Sequence, residues 1–511
     1  MGFDLGIFAD ESLSEQFVEY LIEQQWPDIQ GHFSKLWAYY GNEMRQTAGA
    51  GDVDKKLNES SRPYVQAQEY GLPARITGLM RCGELGVFGG RALRDVQRKE
   101  VVIENDIGWR INAMVDFLFG KPVRIVSKSP DGDRRAEIET LLNGVFEANG
   151  DVLFFQDMAV LGGVYGFVDC LLRPGNSILE HTFNHSLPPA TFAKAVELAQ
   201  TIQLELIEAP RALPVLDEND YKKTRYYVQH FYQQKNAVSP GAAGGLLRRL
   251  LFGGRSAACR SRQTSAVTEI TGPGAWQRYE DRQLVAEGQT PWGFVPVVHI
   301  QNMAQPYYYE GISDVEPLVP LQDELNTRQS DRANRITFQS FKMYLAKGLE
   351  GVEDRPVAPG RMWCTDNLDA GISEFGGDER TPSEDLHIAE IREAMDKTSG
   401  VTPMVAGVLK SRLGNLTSAV ALKLTLMGML AKTERKKFTY GQGIKTICRM
   451  VLAMLDAAGI YPTEALGRDF EVVFANPLPE DVMDRLKQAQ IKKQLGVPAE
   501  QLLKELGYEP V

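Results

Sequence analysis

Two histidines four residues apart, His181 and His185, have the spacing that sets both imidazoles on one helical face, a common beginning for a metal site. Asn184 and the Leu187-Pro188-Pro189 break point to a loop instead, and no third ligand is evident, so no metal is expected. Gly162-Gly163-Val164-Tyr165-Gly166 is glycine-rich, but it is too short for a dinucleotide fingerprint and leads into a strand-like run. No GxxxxGK[ST] loop offers a seat for nucleotide phosphates. The histidines accompany no GxSxG elbow, and no DxD-type carboxylate cluster stands out. Cys82, Cys170, Cys259, Cys364 and Cys448 are scattered, odd in number and without a CxxC pair, which fits a reducing compartment. The reading is of a chain that is not an enzyme and needs no cofactor.

What remains is basic chemistry in two loops. From 236 to 268 there is no acidic residue but there are five arginines, Arg248, Arg249, Arg255, Arg260 and Arg262, around the apolar turn Gly245-Leu246-Leu247-Arg248-Arg249-Leu250-Leu251-Phe252-Gly253. This pattern reads as a strand pair interrupted by a basic insertion, either a plain surface loop or a contact for an acidic partner. The second loop, 405–417, carries Lys410, Ser411, Arg412 and Asn415, either a solvated turn or a sequence-independent phosphate contact.

The elements around these loops set their positions. Residues 12–40 read as helix with Ser12 and Glu15 as a capping box and Pro27 as a stop or kink. In 105–120, Ile107, Ile111, Met114, Val115 and Leu118 form a helical stripe that Gly120 ends, and 121–126 reads as a strand. An acidic helix over 136–149 and a strand over 162–172 follow, then strands at 225–234, 276–285 and 295–300. Pro320 opens a helix expected to reach Ala346 and stop at Gly348. Its middle, 326–335, has no large apolar residue, so no face of it should lie on a dry core, and its Arg328, Asp331, Arg332 and Arg335 suit i,i+4 pairing or packing beside copies of itself around water. Residues 349–383 are rich in Gly, Pro and Asp, with a strand at 361–365. A short helix follows over 384–398, and a long one runs from Thr417 or Ser418 to about Ala458, with a kink expected at Gly441-Gln442-Gly443. Phe470 to Phe474 reads as a strand, and 480–506 as a polar helical tail.

Composition limits the partners. The 511 residues suggest three or four folding units, and 67 acidic against 56 basic residues leave a net charge of −11. That balance excludes a surface built throughout to grip nucleic acid. The most apolar stretch, 447–460, is broken by Arg449 and Asp456, so no membrane span is expected, and residues 1–9 do not resemble a secretory signal.

Several runs then become familiar in their order. After Asn302 come Tyr308-Tyr309-Glu310-Gly311-Ile312-Ser313-Asp314-Val315-Glu316, Leu321-Gln322-Asp323-Glu324-Leu325-Asn326 and Ser330-Asp331-Arg332-Ala333-Asn334. With the Phe119-Gly120-Lys121-Pro122-Val123 turn, Asn476-Pro477-Leu478-Pro479 and Leu495-Gly496-Val497-Pro498, this order resembles the tailed-bacteriophage portal proteins, the head-to-tail connector family, from residue 15 onward. The resemblance implies an α+β portal-like fold: a mixed α/β wing over 1–310 with the basic insertion 236–268, stem helices over 313–346 and 385–399, and a small α/β clip over 349–384. It implies a tunnel loop over 405–417, a long kinked wing helix over 418–458, a wing strand over 466–476 and a short helical crown over 480–511. It further implies a ring of about twelve subunits, a dodecamer, at one capsid vertex of the virion, made in the host cytoplasm. Such a ring would be a DNA channel for viral genome packaging and ejection. Its partners would be double-stranded DNA, contacted without sequence preference at Lys410, Ser411, Arg412 and Asn415, the terminase large subunit, a head-completion or adaptor protein, and the major capsid and scaffold proteins. Arg361 and Trp363 are the clip residues expected at such an interface, because Arg and aromatic side chains dominate interface energetics. The alternatives are another viral neck or capsid protein, which would lack this order of rods and loops, and a cytoplasmic nucleic-acid-processing enzyme, which would need a metal or phosphate site.

Overall fold

The computed structural model describes residues 2–8, 13–46, 64–80, 91–92, 99–183, 190–236, 262–340, 343–347, 369–375, 382–403, 424–478, 482–499 and 502. The fold is α+β. The first helix, Glu15–Tyr20, is capped by Ser14, whose hydroxyl accepts from the Phe17 amide; Ser12, the cap expected from sequence, lies outside the described residues. A π-helical turn, Leu21–Gln25, carries it directly into α1, Trp26–Gly41. Pro27 follows directly on that π-helical turn, at the second residue of α1, so the helical run is not stopped there.

Helix α2, Asp106–Phe119, buries the expected stripe, and the Asn105 side chain caps it by accepting from the Gly108 amide. The strand after it, β1, Arg124–Ser127, finds its partner almost at the other end of the chain. Helices α3, Gly132–Ala148, and α4, Val152–Tyr165, follow. The expected strand over 162–172 is thus helical up to Tyr165, and only β2, Phe167–Arg173, is strand. The switch is made at Gly166 (φ +95°), where a Cβ would stand 2.4 Å from the Gly311 carbonyl oxygen.

Two sheets then form. The strands β3, Gln203–Ile207, β4, Ala212–Leu216, β5, Thr224–Asn236, β6, Arg262–Thr271, β7, Ala275–Glu280, β8, Gln283–Gln289, and β9, Val297–Gln301, are all antiparallel to their neighbours. Their orders are β8-β7-β6-β5-β4 and β9-β2-β3. β5 and β6 pair from Tyr227↔Thr271 to Asn236↔Arg262, so the basic insertion narrows to 237–261 and Arg262 is the first residue of a strand. The single strand expected over 276–285 is a hairpin, turned at Asp281 and Arg282, both with positive φ.

Helix α5, Val319–Ser340, ends earlier than expected: β10, Met343–Lys347, leaves the helix to pair with β11, Gly371–Phe375. Helix α6, Pro382–Ser399, packs beside α5. Helix α7, Met427–Ala457, runs unbroken through Gly441-Gln442-Gly443. The glycines serve close packing: at Gly443 a Cβ would lie 2.5 Å from the Ile300 side chain, and at Gly441 3.4 Å from Phe474. The second half of α7 buries Tyr440, Ile444, Ile447, Val451 and Leu455 in the principal core with α2, α4 and β9. The chain then returns as β12, Phe470–Val473, to close on β1. A smaller core fills the space between the N-terminal helix and the five-stranded sheet. Helix Val482–Gln494 is the last of the described elements longer than one turn.

Candidate functional site

Along α5, Gln322, Asn326, Ser330 and Asn334 recur every four residues, a rise of about 6 Å per step. Opposite them runs the extended segment 99–105, in which every second residue advances about 6.6 Å. The two repeats match, and the helix side chains take the place of a neighbouring strand. Gln322 Oε1 accepts from the Asp106 amide (3.1 Å), and Gln322 Nε2 donates to the Glu104 carbonyl (2.6 Å). Asn326 Oδ1 accepts from the Glu104 amide (3.2 Å), and Ser330 Oγ accepts from the Val102 amide (3.0 Å). Asn334 closes the row, accepting from the Glu100 amide and donating to its carbonyl, both at 3.0 Å. Buried backbone groups must be paired, and here side chains do the pairing. Gln322, Asn326 and Ser330 are fully buried, so the polar middle of α5 does have an inward face, contrary to the sequence expectation. Asn326 Nδ2 also donates to Gln68 Oε1 (2.9 Å), and Gln68 Nε2 reaches the Tyr39 carbonyl (2.7 Å) and Asn105 (2.9 Å), tying the ladder to α1 and α2. Val101 points elsewhere, into a small apolar cluster with Leu72 and Ile76.

The four charged residues singled out on α5 occupy its remaining faces. Arg328 pairs with Glu324 (2.6 Å), Asp331 with Arg75 (2.9 Å), Arg332 with Asp385 (2.5 Å) and Arg335 with Glu384 (2.8 Å). The last two bridge α5 and α6. As partly exposed pairs, each contributes about 1 kcal/mol or less.

Two buried ionic clusters lie beyond the ladder. Arg110, on α2, is buried, and its guanidinium donates to Asp106 (3.0 Å), Asp396 (2.7 Å), Ser399 Oγ (3.0 Å) and the Val401 carbonyl (2.6 Å). The Ser399 carbonyl in turn accepts from Lys432 Nζ on α7 (2.8 Å). Lys432 also pairs with Asp314 (2.7 Å), which is shared by Lys436 and receives Asn302 Nδ2 (3.1 Å). Asn302 Oδ1 accepts from the Tyr440 hydroxyl (3.0 Å). Burial alone would raise the Asp314 carboxyl, but Lys436 and then Lys432 outweigh it and hold it down at about 2. Burial pushes Lys436 down, with Asp314 opposing. Ser399 is thus the shared node: its hydroxyl belongs to the Arg110 cluster and its carbonyl to the Asp314 cluster. The end of α6 and the first turns of α7 are held together there, on either side of 404–423.

Lys410, Ser411, Arg412 and Asn415 lie outside the described residues, as do Arg361, Trp363, Arg248, Arg249, Arg255 and Arg260. His181 sits on the helix Asn176–Phe183, not in a loop, with Nδ1 3.3 Å from the Ala458 carbonyl oxygen, and His185 is outside the described residues. Among the described residues no group of three or more His, Cys, Asp or Glu is arranged to hold a metal. No described helix is long and apolar enough to cross a membrane. Cys170 and Cys448 are buried, and burial pushes both thiols up, away from the reactive thiolate. Sequence reasoning missed the ladder and both ionic clusters. The signal for the ladder was present, as four amide and hydroxyl residues at a strict spacing of four.

A family model described as "Phage portal protein, SPP1 Gp6-like" matches residues 110–508. No curated protein matches the chain. Among solved structures, a chain from one described as "Neck of empty GTA particle computed with C6 symmetry" is 14% identical, with 80% of this chain and 91% of that chain covered and a TM-score of 0.39.

Proposed function

The chain belongs to the phage portal protein family of the SPP1 Gp6-like type, and from that premise we propose that it is the portal of a tailed phage, a ring of about twelve copies at one capsid vertex. The ring is a passive conduit for double-stranded DNA during packaging and ejection, made in the host cytoplasm and built into the virion. It docks the terminase motor and later the neck and adaptor proteins, and it has no catalytic activity of its own. In this reading α5 and α6 are the stem, β10 and β11 belong to the clip, and 405–417 is the tunnel loop facing DNA. Residues 1–310, with α7 and β12, form the wing, 237–261 is its basic insertion, and 480–511 is the crown.

The observation that carries the reading beyond family membership is the Ser399 node. It binds the second stem helix, the wing helix α2 and the first turns of α7 at one point, so both roots of 404–423 stand on a single rigid base. A loop that touches moving DNA needs such a base, because its own contacts must stay weak. Every phosphate it neutralises releases counterions and adds affinity that would slow sliding. With −11 per chain, a ring of about twelve carries on the order of −130 charges, a field that repels DNA except where Lys410 and Arg412 face it.

The test is the double substitution Lys410→Glu with Arg412→Glu in packaging extracts. Rings of normal size that package DNA poorly are the expected result, and normal packaging removes these residues from the mechanism. Metal-dependent nuclease turnover that survives repurification of the chain would sink the passive-conduit reading.

A further inference from the structure

We infer that an apolar patch at the start of α7 is the surface on which a neighbouring copy of this chain seats in the ring, an inference that rests on the portal reading. The described first half of α7 buries Met429, Thr433, Lys436 and Tyr440, so its opposite face is open. On that open face Met427 and Phe438 are three turns apart and within about 20° of one azimuth, and Leu424 stands just before the helix begins. The loop 302–312 lies along the flank of the same stretch: Thr439 Oγ1 donates to the Asn302 carbonyl (3.1 Å), Arg435 Nη2 is 3.1 Å from Met303 sulfur, and the Ile312 amide donates to the Met303 carbonyl (3.2 Å).

Six large side chains along this stretch are open to solvent: Tyr307 at 84%, Phe438 at 77%, Leu424 at 65%, Met427 at 62%, Tyr308 at 59% and Ile312 at 43%. Their exposed areas sum to roughly 700 Å², close to the ~800 Å² that each partner of a standard interface contributes. Tyr307 also holds a positive φ of 69°, costly for a residue with a Cβ, and the cost falls on the most exposed of the six.

Chemistry and place together favour a second copy over other partners. The charges around the face, Glu310, Glu434, Arg435 and Lys437, are two of each sign, so there is no surplus to attract phosphate. The patch begins at the root of α7, a few residues from the Lys432–Ser399 contact, on the side of the subunit from which the tunnel loop is proposed to reach the channel. In a closed ring, lateral surfaces near the axis are shadowed by the next subunit, and head-to-tail closure requires such a face on every copy.

The experiment compares full-length wild type, Tyr307→Ser with Tyr308→Ser, Phe438→Ser, and Leu153→Ser, whose exposed side chain lies on α4 outside the patch. Ring fraction is read by mass photometry at equal concentration, and folding by circular dichroism and thermal unfolding. Rings from wild type and Leu153→Ser, with at least a tenfold lower ring fraction for folded patch variants, are the expected outcome. Undiminished rings from the patch variants overturn the assignment while leaving the portal reading standing. A wild type that never forms rings, with scaffold present and at high concentration, overturns the ring itself. Should Phe438→Ser fail to fold, the double tyrosine variant, which alters only loop side chains, decides between these outcomes.

Discussion

Asn326 is the rung of the ladder at which removing one side chain orphans the most. Its Oδ1 holds the Glu104 amide and Gln322 Nε2, and its Nδ2 holds Gln68 Oε1, all away from water. Gln322 Nε2 keeps a second acceptor in the Glu104 carbonyl, so Asn326→Ala strands two groups, the Glu104 N–H and Gln68 Oε1. Gln68 has no relief in flipping its amide, because its Nε2 already serves the Tyr39 carbonyl and Asn105. At about 1–3 kcal/mol for each buried unsatisfied group, the loss is about 2–6 kcal/mol, toward the lower end if a water fills the vacated volume. Asn334 accepts from the Glu100 amide and donates to the Glu100 and Ser330 carbonyls at the half-exposed end of the row, where water replaces these contacts, so Asn334→Ala costs about 1 kcal/mol or less. Urea unfolding gives the totals, and hydrogen exchange at Val102, Glu104 and Asp106 locates them, with Asn326→Ala speeding Glu104 most. Equal costs for the two variants, or unchanged exchange at Glu104, would refute the idea that α5 acts as a sheet edge.

Asp314→Asn leaves Lys432 and Lys436 facing each other without their counter-ion, which should cost about 3–5 kcal/mol by chemical denaturation. Because the Asp314 carboxyl is held at about 2 in the folded chain, below its ordinary 3.8, its stabilising contribution is complete above about pH 4 and fades as pH falls toward 2. Acid unfolding of Asp314→Asn should lack that part of the slope. His230 is pushed down to about 4, first by burial and then by Arg282, so stability should rise with pH between about 4 and 6.5, and an NMR titration should place its midpoint near 4. Gly443→Ala gains about 1 kcal/mol of helix propensity but drives a Cβ to 2.5 Å from both Cδ1 and Cγ1 of Ile300, and melting should show net destabilisation, relieved only in part when Ile300→Val removes Cδ1.

What could be read from the sequence follows from where each element finds its stabilisation. The α2 stripe, α6, β12 and β5 were legible because their own periodicity matches the core they face, whereas most of β6 was read as part of the basic insertion. The boundaries that failed were set by distant partners. Residues 343–347 look like the tail of a helix until β11 is available to pair with them. Gly441 and Gly443 are helix-weakening in sequence, and their use in close packing shows only once Phe474 and Ile300 are seen beside them. The polar middle of α5 looked solvated because hydrophobicity is the usual sign of an inward face, and here an extended backbone supplies the burial. Arg110 and Asp314 were illegible for a related reason: their counter-ions Asp396, Lys432 and Lys436 lie more than a hundred residues away in sequence.

The ladder alone would not fix how α5 sits against the segment beside it. Its rungs are all groups that both donate and accept, and a slip of four helix residues against two strand residues would offer each backbone group another such partner within about 0.6 Å. Two features remove that degeneracy. At Asp106 the extended segment becomes helix α2, so a slip in one direction would present helical carbonyls already committed within α2 and a Gly108 amide already held by Asn105. Arg110 stands one turn further on, gripping Asp396, Ser399 and Val401, and a displacement of about 6 Å would leave its buried charge with only Asp106 of its own helix. The amide row therefore supplies attraction along the length of α5, and the buried arginine supplies the register. A push on that helix reaches the Ser399 node through directional contacts that have a single arrangement, so α5, α2 and the end of α6 are joined without slack.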